Sequence, residues 1–552
     1  MWFLRWPDAL GPTTPRRVAV IDAVDPFIGT DVTDLPPPNG LAASWWWPKP
    51  QVGNTHPGAT APFGMVSACA YSGAYPTGYG VHELSTEGIP APLFDQLAAS
   101  GFTHFQQSGT GAIRKYYNYL RVTPMVDPLD DLGTQWTLRD ESAEPGYYTA
   151  TLGNGIRCEL TVGPKSAVHR YTFPAHGDAR LVVDFSLGGL AIEHGRTVPT
   201  RARLGVIEPG VANGEIVVEG APLAVHIECD TPTWRQMLWY DQRLMPGGTQ
   251  LDFDSIRPTT LRPFGLLLRG PTEPGQTIEL RLGFSLRGVE QARANLVEDC
   301  GTGTRSFDGR RSTTRRMWSE HLDTIRVETT SSERRTVFST ALYHSLIKPC
   351  FAPNESPFWP ASGPFVFDIA TMWDVYRTQL PLISLLAPER AVELATALLL
   401  ICEEEGNLPI GYRMARGADR FSRQGSALAH TFLADALPTR AVLGLQPAWD
   451  PAEPLRHPYI AASLDHAMWF HRVHPGDAWT LHDVDAETFV GSRGLTTGRL
   501  FSRDGLLVAS TAQQVLLRTR RAPTPGQDPA EATGGNRLHQ GSPRVRRDPG
   551  QD

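Results

Sequence analysis

In the stretch TMWDVYRTQLPL (371–382) an indole, a carboxylate and a guanidinium fall within five residues, as Trp373, Asp374 and Arg377. The ring offers a stacking face, the carboxylate accepts hydrogen bonds and the guanidinium donates them in a fixed fork. On a helix Trp373 and Arg377 are four apart and share a face; the same spacing also serves an ordinary intrahelical contact. A second stretch, GFTHFQQSGTG (101–111), sets neutral donors and acceptors beside aromatics, with His104 among them. That composition suits a hydroxyl-rich ligand. A third, GNTHPGATAPFGM (53–65), holds three glycines and two prolines in 13 residues. It is dense in turns and lets backbone approach a ligand closely, or it shapes a loop and nothing more. His56 within it reads as a hydrogen-bonded turn residue.

Elements must carry these groups. Residues 24–304 alternate short apolar runs with Gly- and Pro-rich turns, as in GYYTATLGNGIRCELTVG (146–163), SAVHRYTFP (166–174), ARLVVDFS (179–186), GEIVVEG (214–220) and QTIELRLGFSL (276–286). Many short strands divided by turns predict a large β-sandwich. Near 305 the period changes. SSERRTVFSTALYHSLI sets Val337, Phe338, Ala341, Leu342, Ser345 and Leu346 on one helical face, with Ser331 or Ser332 as N-cap. IATMWDVYRTQLPLISLLA and PERAVELATALLLICEEEG continue as helices, the second opening at Pro388 and stopping at Gly406. Paired helices of this length fit an α-helical barrel. Past 436 the chain turns β-like again, and 521–552 lacks apolar periodicity and reads as a disordered tail. The WWW run (45–47) cannot send three rings the same way. Trp46 is the candidate for stacking on a sugar, with packing of the sandwich on the helices as the other use.

Bulk properties bound the answer. The 552 residues allow about three to four domains. With 41% hydrophobic and 20% charged residues the chain is an ordinary globular one, and its net charge of -7 favours neither nucleic acid nor a polyanion. The six cysteines include no close pair, so they read as buried or idle thiols. No span is long and apolar enough for a membrane, and MWFLRWPDALGPTTPRR makes no signal peptide, so cytoplasmic residence is expected. A start codon placed differently would allow secretion.

DPFIGT (25–30), GNTHPGATAPFGMV (53–66), GFTHFQQSGTG and TMWDVYRTQLPL resemble, in this order, segments of glycoside hydrolase family 92. The resemblance runs over about 24–435. It implies calcium-dependent, inverting exo-α-mannosidases that act on α-mannosides or N-glycans. It also implies a β-sandwich joined through a helical linker to an (α/α)6 barrel. Trp373, Asp374, Arg377, His104 and Trp46 become candidate substrate contacts. The family's acid is a glutamate after a Leu-Pro element; here Leu408 and Pro409 are kept and Asp419 falls in its place. The motif bearing the family's base has no counterpart after 436. No calcium ligand can be assigned. A chain that binds glycans without turnover is thereby a further reading.

LDHAMWFHR (464–472) and DGLLVASTAQ (504–513) resemble the C-terminal half of type II acyl-CoA thioesterases, which are double hotdogs. There an Asp, a Thr and a Gln hold the attacking water. Gln513 matches the glutamine, Ser463 stands for the threonine, and Asp435 lies near the place of the aspartate. These three groups can all hydrogen-bond one water without a metal. Asp465 and His466 serve equally as a bend between strands.

The expected architecture is multidomain α+β. It comprises an N-terminal extension (1–23), a β-sandwich (24–304), a helical linker (305–345), an incomplete (α/α)6 barrel (346–435), a hotdog-like antiparallel sheet (436–520) and the tail (521–552). The partners it implies are an α-mannoside or N-glycan, acyl-CoA, and a second copy joined through the C-terminal sheet; neither nucleic acid nor a membrane is expected.

Overall fold

Val211–Val218 buries every second residue, the mark of a strand with one face on a core. Strands of this kind build two antiparallel sheets. One has nine described strands. In spatial order they are Arg243–Met245, Arg235–Tyr240, Phe264–Thr272, Gly177–Ala191, Lys115–Met125, Phe102–His104, Ser67–Ala70 and Ala59–Thr60, with Gly195–Arg196 beside Gly177–Ala191. The other has ten: Gln250–Asp254, Arg201–Glu208, Val211–Val218, Ala221–Cys229, Thr277–Ser285, Ser166–Thr172, Arg157–Val162, Tyr147–Leu152, Trp136–Glu144 and Ala98–Ala99. Their inner faces meet. A Cβ on Gly214 would stand 2.2 Å from the Phe185 ring of the opposite sheet. Phe102 lies edge-on to His169 with ring centroids 6.3 Å apart. The five runs expected as strands all fall in this sandwich.

The chain changes sheets abruptly at two places. Ala98–Ala99 closes the ten-stranded sheet and Phe102–His104 sits inside the nine-stranded one, with only Ser100 and Gly101 between them. Phe264–Thr272 and Thr277–Ser285 likewise enter different sheets across residues 273–276.

The chain is described here from a computed structural model. It covers residues 2–5, 19–33, 51–53, 55–74, 77–84, 90–92, 97–106, 115–126, 134–191, 195–196, 200–218, 220–241, 243–254, 263–303, 306–359, 362–369, 372–376, 378–406, 408–409, 411–414, 417–418, 459–474, 480–490 and 492–519.

Helix α1 (Val289–Cys300) begins inside the span expected to be strands. Only Ala292, Asn295 and Leu296 are buried on it, too narrow a stripe to stand out in the sequence. It lies on the outer face of Thr277–Ser285, which is therefore buried on both faces. Gly283 makes this contact possible, because a Cβ there would stand 2.3 Å from the Ala292 carbonyl and 2.5 Å from the Leu296 Cβ. Helix α2 (Phe307–Leu322) starts where Glu279 Oε2 accepts from the Ser306 and Phe307 amides. Helix α3 (Ser332–Ser345) is capped by Ser331, whose side chain accepts from the Arg334 amide at 3.2 Å.

The buried face of α3 matches the expected one in part: Leu342 and Leu346 are buried and Phe338 packs on the core. Ser339, Thr340, Leu342 and Tyr343 are buried, whereas Val337 is 55% exposed. Tertiary hydrogen bonds chose the face. Thr340 Oγ1 accepts from the Asp25 amide, and Tyr343 shares a 2.8 Å bond with Thr60 while packing its ring, tilted, on Trp318 with centroids 4.5 Å apart. Helix α4 (Met372–Val375) is a single turn, followed by α5 (Gln379–Leu386) and α6 (Pro388–Glu405). Helix α6 opens on Pro388 and ends at Gly406 in the left-handed region, as expected. The described residues contain no closed helical ring, and none of their helices is long and apolar enough to cross a membrane.

A four-stranded antiparallel sheet ends the described chain in the order Tyr459–Phe470, Leu507–Thr519, Arg493–Ser502, Thr480–Val490. Its first strand runs beside α5. A hotdog would add a helix wrapped by this sheet, and no such helix is among the described residues. Residues 419–458 and the expected disordered tail lie outside them.

Candidate functional site

Four distant segments of the chain converge at one junction between the sandwich and the helices. The first, Asp25–Thr30, is a closed turn: Asp25 Oδ1 accepts from the Phe27 amide at 3.0 Å and Thr30 Oγ1 donates to the Phe27 carbonyl at 2.9 Å. The Asp25 amide ties the turn to Thr340 on α3 at 2.9 Å. The second segment lies directly on it. The Gly53 amide donates to the Asp31 carbonyl, and a Cβ on Gly53 would stand 2.1 Å from the Gly29 carbonyl oxygen.

His56, in that second segment, is buried and joins it to the third. The Gly58 amide donates to Nδ1 at 3.1 Å, so the ring proton sits on Nε2 and faces the Gln106 carbonyl at 3.2 Å. Burial pulls His56 down to about 3, against the Gln106 contact and with help from nearby Lys348 and His344, so the ring is neutral. The expected turn role is seen, with this bridging role added. Gln106 donates from Nε2 to the Ala70 carbonyl at 3.3 Å, and its buried Oε1 has no partner among the described residues.

The loop then docks on the segment leading to α4. Phe63 donates its amide to the Leu346 carbonyl and accepts from the Phe351 amide, at 2.8 and 2.9 Å. Cys350 Sγ donates to the Gly64 carbonyl at 3.2 Å. Lys348 Nζ lies 3.0 Å from Cys350 Sγ and 3.0 Å from Asp368 Oδ2, all three groups being buried. Burial pulls the Lys348 ammonium down, but Cys350 and the Asp368 carboxylate outweigh it and hold it above its ordinary range. Burial pushes the Cys350 thiol up to about 12, so it is a protonated donor and not a nucleophile. Three residues of this junction, Phe63, Phe105 and Asp368, have left-handed backbone at φ of 53°, 65° and 51°. Such conformations are uncommon outside glycine and persist where the surroundings over-determine them.

The expected site residues fall in several places. Trp373 and Asp374 lie on α4, which starts four residues beyond Asp368, so the backbone brings them to this junction; their side chains are outside the described residues. Arg377, Trp46, Asp419 and Asp435 lie wholly outside. Among the described residues helix α4 ends at Val375.

His104 has a different task from the expected sugar contact. It is fully buried between the sheets, with Nδ1 on the Leu120 carbonyl at 2.9 Å and Nε2 on His169 Nε2 at 3.0 Å. Both ring nitrogens are thus spent, Nδ1 on the neighbouring strand of its own sheet and Nε2 on the opposite sheet. Lys348, Asp368 and Gln106 were not among the expected residues. The available signal was a lone charge inside each of two apolar runs, SLIKPCF and PFVFDIA, since such charges are buried only when paired.

In the terminal sheet Gln513 is buried, on the same face as Val515 and Leu517. The register sets Ser463 opposite Val515 and His466 opposite Gln513. A bulge between Ser463 and Asp465 inserts one residue, so positions 463 and 466 both fall on the Gln513 face although they are three apart. Thr496, also buried, is opposite Gln513 on the other side.

Calcium prefers about six to eight oxygen ligands. Among the described residues no three His, Cys, Asp or Glu side chains converge, and the carboxylate of Asp368 is already paired with an ammonium. These residues by themselves do not fit the ion.

Comparison with known proteins agrees with this division. Residues 23–285 match the glycosyl hydrolase family 92 N-terminal domain, 291–455 the family 92 catalytic domain, and 413–517 the acyl-CoA thioesterase C-terminal domain. An uncharacterized secreted glycosidase of Arthroderma benhamiae is 24% identical over 360 residues, 59% of this chain and 44% of that protein. A family GH92 α-mannosidase of Bacteroides thetaiotaomicron superposes with a TM-score of 0.59 at 19% identity, over 78% of this chain and 55% of that one. Acyl-CoA thioesterase 2 of Haemophilus influenzae is 44% identical over 57 residues, 10% of this chain and 20% of that protein. The chain thus spans about half the length of the glycosidases it matches and about a fifth of the thioesterase. By these matches the chain belongs to glycosyl hydrolase family 92 over residues 23–455, and residues 413–517, overlapping it, are similar to the acyl-CoA thioesterase C-terminal domain.

Proposed function

We propose that this chain hydrolyses α-mannosides, such as those of N-glycans, at the junction between sandwich and helices. The observation that carries the reading is the convergence there of four segments spread from Asp25 to Trp373 around a buried, hydrogen-bonded polar cluster. Trp373 would stack on the sugar, and Asp374 and Arg377 would hold its hydroxyls. Asp419 would protonate the leaving oxygen. Inversion needs a second carboxylate about 6.5–9.5 Å away to activate water. Calcium enters this proposal only through its test, because the described residues do not hold it. The test is release of nitrophenol from 4-nitrophenyl α-mannoside, with and without EDTA, together with the anomer first formed. Turnover that EDTA stops and that yields the inverted sugar supports the reading; failure to bind or cleave any α-mannoside rejects it.

A second reading rests on the terminal sheet. The register that gathers positions 463, 466, 496 and 513 on one face favours hydrolysis of acyl-CoA thioesters, with Gln513 and Ser463 holding the water and Asp435 assisting. Thiol release from acyl-CoA that disappears in Gln513→Ala supports it. Tyr459–Phe470 and Thr480–Val490 are the outer strands of the described sheet, and unpaired edges invite a second copy. Mass measured by light scattering separates a dimer from a monomer.

A further inference from the structure

Two buried carboxylates near the junction are treated differently by the fold. Glu355 is saturated: Oε2 accepts from Ser285 Oγ at 2.6 Å and the Leu286 amide at 2.8 Å, and Oε1 accepts from Asn295 Nδ2 at 2.7 Å with Lys165 at 3.8 Å. Asp368 is saturated on one side only. Oδ2 takes Lys348 at 3.0 Å. Oδ1 is buried and has no hydrogen-bond partner among the described residues. A buried acceptor left unmade costs about 1–3 kcal/mol, more when charged. A carboxylate with a purely structural task would be expected to look like Glu355.

The half-empty carboxylate is also held in a fixed direction. Strand pairing joins Cys350 to Phe367 and Phe351 to Val366, immediately before Asp368. Immediately after it, Ile369 exchanges both backbone hydrogen bonds with Tyr412, each 3.1 Å long. Lys348 fixes Oδ2. Asp368 is thus clamped from both chain directions and through its side chain, with left-handed backbone. Fixed, charged and short of one donor, it matches what a ligand hydroxyl supplies.

We propose that Asp368 is a ligand-binding residue whose Oδ1 accepts a hydrogen bond from one hydroxyl of the sugar, with Lys348 as its positioning residue. This rests on reading the junction as a mannoside site. In Asp368→Ala no polar atom is left to bond that hydroxyl, whereas an Asn amide could still donate to it.

The test is titration calorimetry of the full chain with methyl α-mannoside and each of its monodeoxy analogues. The parent is expected to bind methyl α-mannoside about tenfold better than one of the analogues, and Asp368→Ala to bind those two alike. A general loosening of the fold would weaken all ligands together and leave the discrimination intact. If Asp368→Ala keeps that discrimination, the inference is overturned while the mannoside reading stands. If the parent binds no mannoside at all, both fall. Should the variant not fold, a crystal structure of the parent with methyl α-mannoside decides: a sugar hydroxyl on Oδ1 supports the inference, and a water or an unfilled Oδ1 overturns it.

Discussion

His104 and His169 share a hydrogen bond whose proton can run only one way. The Leu120 carbonyl takes the proton on Nδ1 of His104, so Nε2 of His104 must accept from Nε2 of His169. Nδ1 of His169 then accepts from the Tyr171 hydroxyl at 2.7 Å. The string is satisfied only while both rings are neutral. Burial pulls His104 to about 4 and His169 well below its ordinary value; it also pulls His344 to about 4 and His56 to about 3. The unfolded chain protonates these residues near pH 6.5, so the folded state binds fewer protons below that pH. Their contribution is therefore complete above about pH 6.5 and is lost as pH falls towards 4, each histidine adding a slope of up to ~1.4 kcal/mol per pH unit. Urea midpoints measured from pH 7.5 to 5 should fall steadily, and His169→Phe should flatten that fall although it is less stable at pH 7.5. At this scale the sequence showed that His104 matters but not for what. A histidine between aromatics reads alike in a sugar site and in an inter-sheet core, and only the partner 65 residues away distinguishes them.

At the scale of elements, local chemistry was legible wherever it was sufficient. Ser331 caps α3, Pro388 opens α6 and Gly406 closes it, each acting through its own backbone. The buried face of α3 was legible only in part, because Asp25, Thr60 and Trp318 help select it from up to 315 residues away. Helix α1 shows the same limit, since its packing depends less on its own pattern than on the absence of a side chain at Gly283. Gly283→Ala should force α1 off the sheet. With backbone and a Cβ in the way instead of a flexible tip, we expect a loss of ~1–3 kcal/mol, read as a lower urea midpoint with unchanged slope.

On the scale of the whole molecule, the order of the segments was legible because the motifs are short and contiguous. The strand order was not, because it depends on which edges meet after long excursions. The two ends of the chain also differ in how they are built. One continuous apolar core runs from Val20 to Met414, and Val508, Ala509, Val515 and Leu517 are buried outside it in the terminal sheet. Val515→Asp should therefore abolish any acyl-CoA hydrolysis while methyl α-mannoside affinity stays within about twofold, because a charge buried without a partner disrupts only the core that contains it. Equal loss of both would show that the terminal sheet supports the rest of the chain.

The two abrupt changes of sheet bear on how the protein is made. Residues 264–285 deliver one strand to each layer, and the strand sent to the ten-stranded layer lands in its middle, between Ala221–Cys229 and Ser166–Thr172. Until that pair of strands leaves the ribosome, a nascent chain of some 260 residues carries two unfinished layers with open rims. Synthesis paused before this point would yield a sticky, protease-sensitive intermediate, and holdase chaperones would find their longest engagement there.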